Sequence, residues 1–149
     1  MRLLGLDVGD VRIGIAVCDS LEIAAFPVGV VRRAGSLKRD VAAVAALAVE
    51  QEAEGIVVGL PLSLDGEIGP QAQKTQGFAK ALANVLPMPV ALWDESLSSV
   101  EAEEILIAQG VSRAKRRLRI DQTAAALILE SYLAHRRATN APRDSLLLL

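Results

Sequence analysis

Residues 2–19 read Arg-Leu-Leu-Gly-Leu-Asp-Val-Gly-Asp-Val-Arg-Ile-Gly-Ile-Ala-Val-Cys-Asp. Residues 2–8 form a short apolar run that carries one carboxylate, Asp7; Gly9 supplies a turn, and Ile13, Ile15 and Val17 alternate loosely beyond Arg12. This pattern predicts a β-hairpin. A third strand is expected over residues 24–31, with Pro27 marking it as irregular or at an edge. Ser36 is placed to cap a helix through Asp40, Val44 and Leu47 to Glu50, whose apolar positions recur at helical spacing. Residues 55–60 contain Ile56-Val57-Val58, the kind of β-branched run that forms a parallel strand buried on both faces. A loop of turn formers, Pro61 to Pro70 around Asp65-Gly66, precedes a helix over about residues 71–86. Pro89 to Trp93 is a short strand ending at Asp94 and Glu95, and Ser98 with Glu101 forms a capping box. A basic loop after Gln109-Gly110 leads to a final helix expected over about residues 121–136, with a broad apolar surface for burial against the sheet. Five strands and four helices result, an α/β fold.

The bulk properties agree. The chain has 149 residues, 52% hydrophobic and 3% aromatic, so its core is built from Val, Leu, Ile and Ala, as in sheets covered by helices. One domain is expected over residues 1–137 with a tail over 138–149. The longest apolar run, Val41 to Val49, is about half of the roughly 20 residues that a membrane span requires. Asp7 and Asp10 interrupt any signal-peptide core, and Cys18 is the single cysteine, which leaves no disulfide and favours a reducing compartment. A cytoplasmic protein with no membrane association is expected.

A net charge of −2 argues against coating nucleic acid through overall charge. Locally, Arg113, Lys115, Arg116, Arg117 and Arg119 fall within seven residues, and Arg32, Arg33, Lys38 and Arg39 form a looser group. Either a phosphate-binding surface or a solvated loop accounts for the first group.

Four segments place an acid beside an apolar stretch: Leu6-Asp7-Val8-Gly9, Leu64-Asp65-Gly66, Trp93-Asp94-Glu95-Ser96 and Ile120-Asp121. Carboxylates at the ends of core elements can converge on divalent metal, the donor set needed for metal-assisted phosphodiester cleavage. Each also has a plainer reading: Asp7 as a turn residue, Asp94 and Glu95 as solvated loop acids, Asp121 as a helix N-cap, and Asp65, Asp10 and Asp19 as turn or surface residues. Other chemistries are thin. His135 is the only histidine, too little for a Ser-His-Asp or histidine-metal site, and no glycine-rich phosphate loop is present.

In order, Gly5-Leu6-Asp7-Val8-Gly9-x-x-Arg12-Ile13-Gly14, Val58-Gly59-Leu60-Pro61-Leu62 with Asp65-Gly66, Trp93-Asp94-Glu95, and Ile120-Asp121-x-x-Ala124-Ala125 closely resemble the bacterial RuvX/YqgF family. The resemblance covers nearly the whole chain to about Leu133. It implies an RNase H-like fold, a mixed five-stranded sheet flanked by helices on both faces, whose first three strands form an antiparallel meander. It further implies a metal-dependent nuclease that trims the 5′ end of precursor 16S ribosomal RNA, related to Holliday-junction resolvases. Carried over by motif, Asp7, Glu95 and Asp121 would be both the catalytic residues and the ligands of Mg²⁺ or Mn²⁺. Arg113, Lys115, Arg116, Arg117 and Arg119 would hold the nucleic-acid backbone, with Arg12 and Lys74 as secondary contacts. The chain departs from the family pattern at Ser96, where an arginine is common, and at Asp10, where relatives carry Thr or Ser. Junction resolution on branched DNA and a non-catalytic RNA-binding scaffold are the alternatives. A ribosomal partner suits the first reading, and a two-fold dimer suits resolution, with Leu146 to Leu149 as a candidate contact. The strand-turn-strand around Asp7 also looks like the phosphate motif of actin-like ATPases and sugar kinases, but 149 residues leave no room for their second lobe.

Overall fold

In the computed structural model of the protein, the described residues are 1–22, 24–62, 65–94 and 113–138, the last segment with side chains for 123–137 only. The opening hairpin pairs β1 (Leu3–Val8) with β2 (Arg12–Cys18). It is antiparallel, with Leu4 opposite Val17 and Asp7 opposite Gly14. β3 (Ala25–Arg32) adds antiparallel to β2, with a register shift between Ile15 and Ala16. The shift falls where Pro27 interrupts the ladder, and β3 is an edge strand, as a proline inside a strand requires.

After β3 the chain leaves the sheet through α1 (Leu37–Glu50), whose N-cap Ser36 accepts a hydrogen bond from the Arg39 amide. It returns as β4 (Gly55–Leu60), parallel to β1 with Leu6 beside Val58. Ile56, Val57 and Val58 are completely buried, the first and last on one face of the sheet and Val57 on the other. Each such side chain contributes about 1.5–3 kcal/mol. α2 (Pro70–Val85) begins with proline in its first turn, where the missing N–H costs nothing, and leads to β5 (Val90–Asp94), parallel to β4. The five strands lie in the order β3-β2-β1-β4-β5.

Strand alternation sorts the side chains onto two faces. Leu4, Leu6, Val8, Ile13, Ile15, Ile56, Val58 and Val90 pack with Val41, Val44 and Ala48 of α1 and Phe78, Ala79 and Leu82 of α2. On the opposite face Leu3, Ala16, Cys18, Ala25 and Val57 pack with Ala125, Ile128, Leu129, Tyr132 and Leu133 of α3 (Arg113–Ala138). The expected mixed five-stranded sheet with helices on both faces is therefore the observed one. No helix among the described residues is long and apolar enough to cross a membrane.

The final helix differs from expectation. It starts at Arg113, not near Asp121, so the basic run forms its first turns instead of a loop. Arg, Ala, Lys and Leu are all good helix formers, and no glycine or proline stands between residues 111 and 138 to stop them. Asp121 consequently lies inside the helix and cannot be its N-cap. The described residues form three helices; the capping box at Ser98 and Glu101, with the helix it would start, lies outside them, as does the tail beyond 138.

Candidate active site

Asp7 is the penultimate residue of β1 and half-buried. It alternates with Leu6 and Val8, which point toward α1 and α2, so it stands on the α3 face. Its partner across β2 is Gly14. On the other side β4 runs Val58-Gly59, with Val58 beside Leu6, which brings Gly59 level with Asp7. A glycine therefore stands beside Asp7 on each neighbouring strand.

The turn after Asp7 is tight. The Gly9 amide donates to the Arg12 carbonyl at 2.9 Å. A Cβ on Gly9 would lie 2.8 Å from that same oxygen, which explains glycine here.

The course of α3 is fixed at two places. At its end, Arg137 donates to the Glu22 carbonyl at 2.8 Å and Arg136 pairs with the Glu22 carboxylate at 3.5 Å, both beyond the Cys18 end of β2. Further back, the helix crosses Gly5 so closely that a Cβ there would be 3.0 Å from both the Ala125 carbonyl and Leu129 Cβ. Running from Glu22 past Gly5, the helix heads toward Asp7. Asp121, Ala125 and Leu129 occupy one i, i+4 row. One helical turn back from Ala125 is about 6 Å, and two strand residues on from Gly5 is about 6.6 Å. The helix backbone at Asp121 therefore comes level with Asp7.

At the end of β5, Asp94 pairs with Leu60 and is exposed. It alternates with Trp93 and shares a face with Val90 and Leu92, opposite to Asp7. Glu95 lies outside the described residues. Trp93 turns to the α3 face, where its indole donates to Ser131 Oγ at 3.0 Å and its ring meets Tyr132 edge-on at 5.5 Å. His135 is exposed and tilted against Trp93 at 4.9 Å.

Of the predicted backbone-binding residues, Arg12 opens β2 directly across from Arg32. Lys74 belongs to α2; it is largely exposed and 3.8 Å from Asp10. Arg113 to Arg119 lie in the first turns of α3, their side chains outside the described set. Asp65 is the turn residue expected of it, accepting from the Glu67 amide at 3.2 Å before Gly66 at φ +81. Asp19 likewise accepts from the Ala24 amide at 3.2 Å. Burial pushes the Cys18 thiol up, an inert setting that the Leu3 amide, 3.2 Å from the sulfur, only partly offsets. Among the described residues no three His, Cys, Asp or Glu side chains gather into a metal-holding group.

The sequence reading missed one structural pair. Asp40 is 2% exposed and accepts from the Ala34 amide at 2.8 Å and from Arg33 Nε at 2.9 Å. These contacts, the Ala34 amide foremost, hold its carboxyl below the usual aspartate range. The signal was present: Asp40, Val44 and Ala48 share one row of α1, so a charge sits on an otherwise apolar stripe and demands a partner. In the sequence Arg33 stands in the loose basic group with Arg32, Lys38 and Arg39.

This arrangement is a fold shared with solved α/β proteins. RuvC of T. thermophilus, solved in complex with a Holliday junction substrate, superposes with a TM-score of 0.58 at 20% identity over 93% of this chain and 97% of that one. The fowlpox virus Holliday junction resolvase gives 0.54 at 12% identity, over 93% and 99%. At such identities the likeness is one of fold. In sequence, a protein of Myxococcus xanthus named "Putative pre-16S rRNA nuclease" is 50% identical over 137 residues, 91% of this chain and 90% of its own length. A protein of the same name from Syntrophus aciditrophicus is 46% identical over 97% of this chain and 96% of its own length. The RuvX family model, described as Holliday junction resolvase, matches residues 1–135. The chain belongs to the RuvX family.

Proposed function

We propose that the protein is a metal-dependent nuclease of the cytoplasm that trims the 5′ end of precursor 16S ribosomal RNA during ribosome assembly. The observation that carries the chemistry is Asp7: a half-buried carboxylate at the end of the middle strand, between two glycines, level with the helix row that bears Asp121. The substrate class follows the names of relatives that match nearly the whole chain.

Asp7, Asp121 and Glu95 would hold the metal. Asp94 stands on the wrong face, which leaves Glu95 as the acid to be used at the end of β5. Carboxylate oxygens are hard donors and suit Mg²⁺ or Mn²⁺. A bound ion would lower the pKa of the attacking water and offset charge at the scissile phosphate. The protein's own part is to bring mutually repelling carboxylates together on rigid elements, a strand and a helix, so that they bind cations readily. Arg12 starts β2 on the face of Asp7 and lies opposite Arg32. Like charges directly across a ladder are unfavourable by themselves and suit a phosphate between them. Arg113, Lys115, Arg116, Arg117 and Arg119 would extend this grip along the backbone without reading bases, and Lys74 beside Asp10 is a peripheral contact.

Junction resolution is the second reading, favoured by the description of the family. It would require a two-fold dimer to make paired cuts. Offering purified protein an RNA with a structured body and a 5′ extension, alongside a four-way DNA junction, separates them. Shortening of the RNA extension in preference to cutting the junction is expected. Symmetric nicks in the junction, with the RNA untouched, would transfer the assignment to resolution.

A further inference from the structure

The pair of the half-buried Arg33 with the buried Asp40 does more than neutralise a charge. The Arg33 guanidinium is shared: Nε donates to Asp40 at 2.9 Å, while Nη1 donates to the Gly9 carbonyl at 3.0 Å. The Arg33 amide donates to the Val11 carbonyl at 2.8 Å. One residue thus holds both the start and the end of the turn that follows Asp7. The guanidinium also lies over the Phe78 ring at 5.5 Å, which braces it from α2. Asp40 is anchored in turn by the Ala34 amide, so α1, α2 and the end of β3 all converge on the turn.

We propose that Arg33, locked by Asp40, is a positioning residue that fixes the β1–β2 turn and thereby the aim of the Asp7 carboxylate. The inference rests on Asp7 being a metal ligand. Gly9 is two residues beyond Asp7, and a glycine turn left to itself has more freedom than any other. Among the described residues, Gly9 is otherwise held by the bond from its own amide to the Arg12 carbonyl. Metal-binding carboxylates need their orientation held to within a fraction of an ångström, and the groups that orient them influence affinity strongly. A lysine at 33 would keep a positive charge for Asp40. It would lack the planar fork that reaches Asp40 and the Gly9 carbonyl together.

The test uses Arg33→Lys, with Leu82→Ala in the α2 core as a control for lost stability. Two quantities are read on the same full-length samples: hydrogen exchange at the Gly9 amide, and the response of the Asp7 carboxyl carbon resonance to Mg²⁺. In Arg33→Lys, Gly9 exchange is expected to speed up while β4 amides remain protected. The Mg²⁺ concentration for half-response at Asp7 should rise roughly tenfold. In Leu82→Ala both should stay as in the wild type at temperatures where each variant is folded. Wild-type behaviour of both readouts in folded Arg33→Lys would overturn the proposal, as would equal losses in Leu82→Ala. An Asp7 resonance indifferent to Mg²⁺ in the wild-type protein would overturn the metal reading itself, while Gly9 exchange would still decide whether Arg33 holds the turn.

Discussion

Asp7 and Asp40 are both acids within an apolar context, and they stand in different surroundings. Asp7 is half-buried with a glycine on each neighbouring strand, whereas Asp40 is buried against Arg33 and the Ala34 amide. Removing Asp40 therefore strands a partly buried guanidinium, and Asp40→Ala should cost about 3 kcal/mol in urea unfolding at pH 7. The pH dependence has a definite sign. Because folding depresses the Asp40 pKa, its contribution is present above the unfolded aspartate value of about 3.9 and is lost as pH falls through the folded value. The stability gap between wild type and Asp40→Asn should accordingly narrow when unfolding is repeated near pH 3; a constant gap would refute the assignment. The place of Asp7 near the end of β1 was legible from its strand-glycine setting. The role of Arg33 was not, because its neighbours in sequence, Arg32, Lys38 and Arg39, are the company of a solvated charge, and only the fold brings Gly9 to it.

At the scale of elements, α3 is the part on which the account depends most. Its approach to β1 is possible because residue 5 is glycine. Gly5→Val would drive a branched side chain into the Ala125 carbonyl and Leu129. It should lower stability by about 1–3 kcal/mol and, by lifting the row that bears Asp121, reduce Mg²⁺ affinity as well. Calorimetric melting and Mg²⁺ titration check the two effects. The same helix carries the basic residues in its first turns, so Arg116→Ala with Arg117→Ala should weaken RNA binding across sequences. It should also flatten the dependence of log K on log salt by about 0.7 per lost contact with a single strand. Unchanged slopes would place the RNA elsewhere. The hairpin, β4 and α1 were readable because their patterns of period two or 3.6 end at clear turn residues. The start of α3 was misread because clustered charge suggested a loop, although charge alone does not end a helix.

For the whole molecule, the outcome follows from layers. Alternating faces on β1 and β2 require cover on both sides of the sheet, and the apolar stripes of α1, α2 and α3 supply it. The sheet order, with β1 in the middle, places Asp7 at the centre of one edge. The resemblance implied the antiparallel meander of the first three strands, but the central position of β1 could not come from periodicity, which is silent about strand order. The net charge of −2 predicts that any nucleic-acid binding depends on local clusters of basic residues and not on overall charge.

The central claim is that a carboxylate-held metal cleaves nucleic acid at Asp7. The most direct measurement is cleavage of a 5′-extended structured RNA by wild-type protein and Asp7→Asn, each with Mg²⁺, Mn²⁺ or EDTA, with RNA binding measured in parallel. The account predicts cutting by the wild type with either metal, none with EDTA, and none by Asp7→Asn, which should still fold and bind RNA. Cutting that survives EDTA, or a folded Asp7→Asn that cleaves at the wild-type rate, would contradict it.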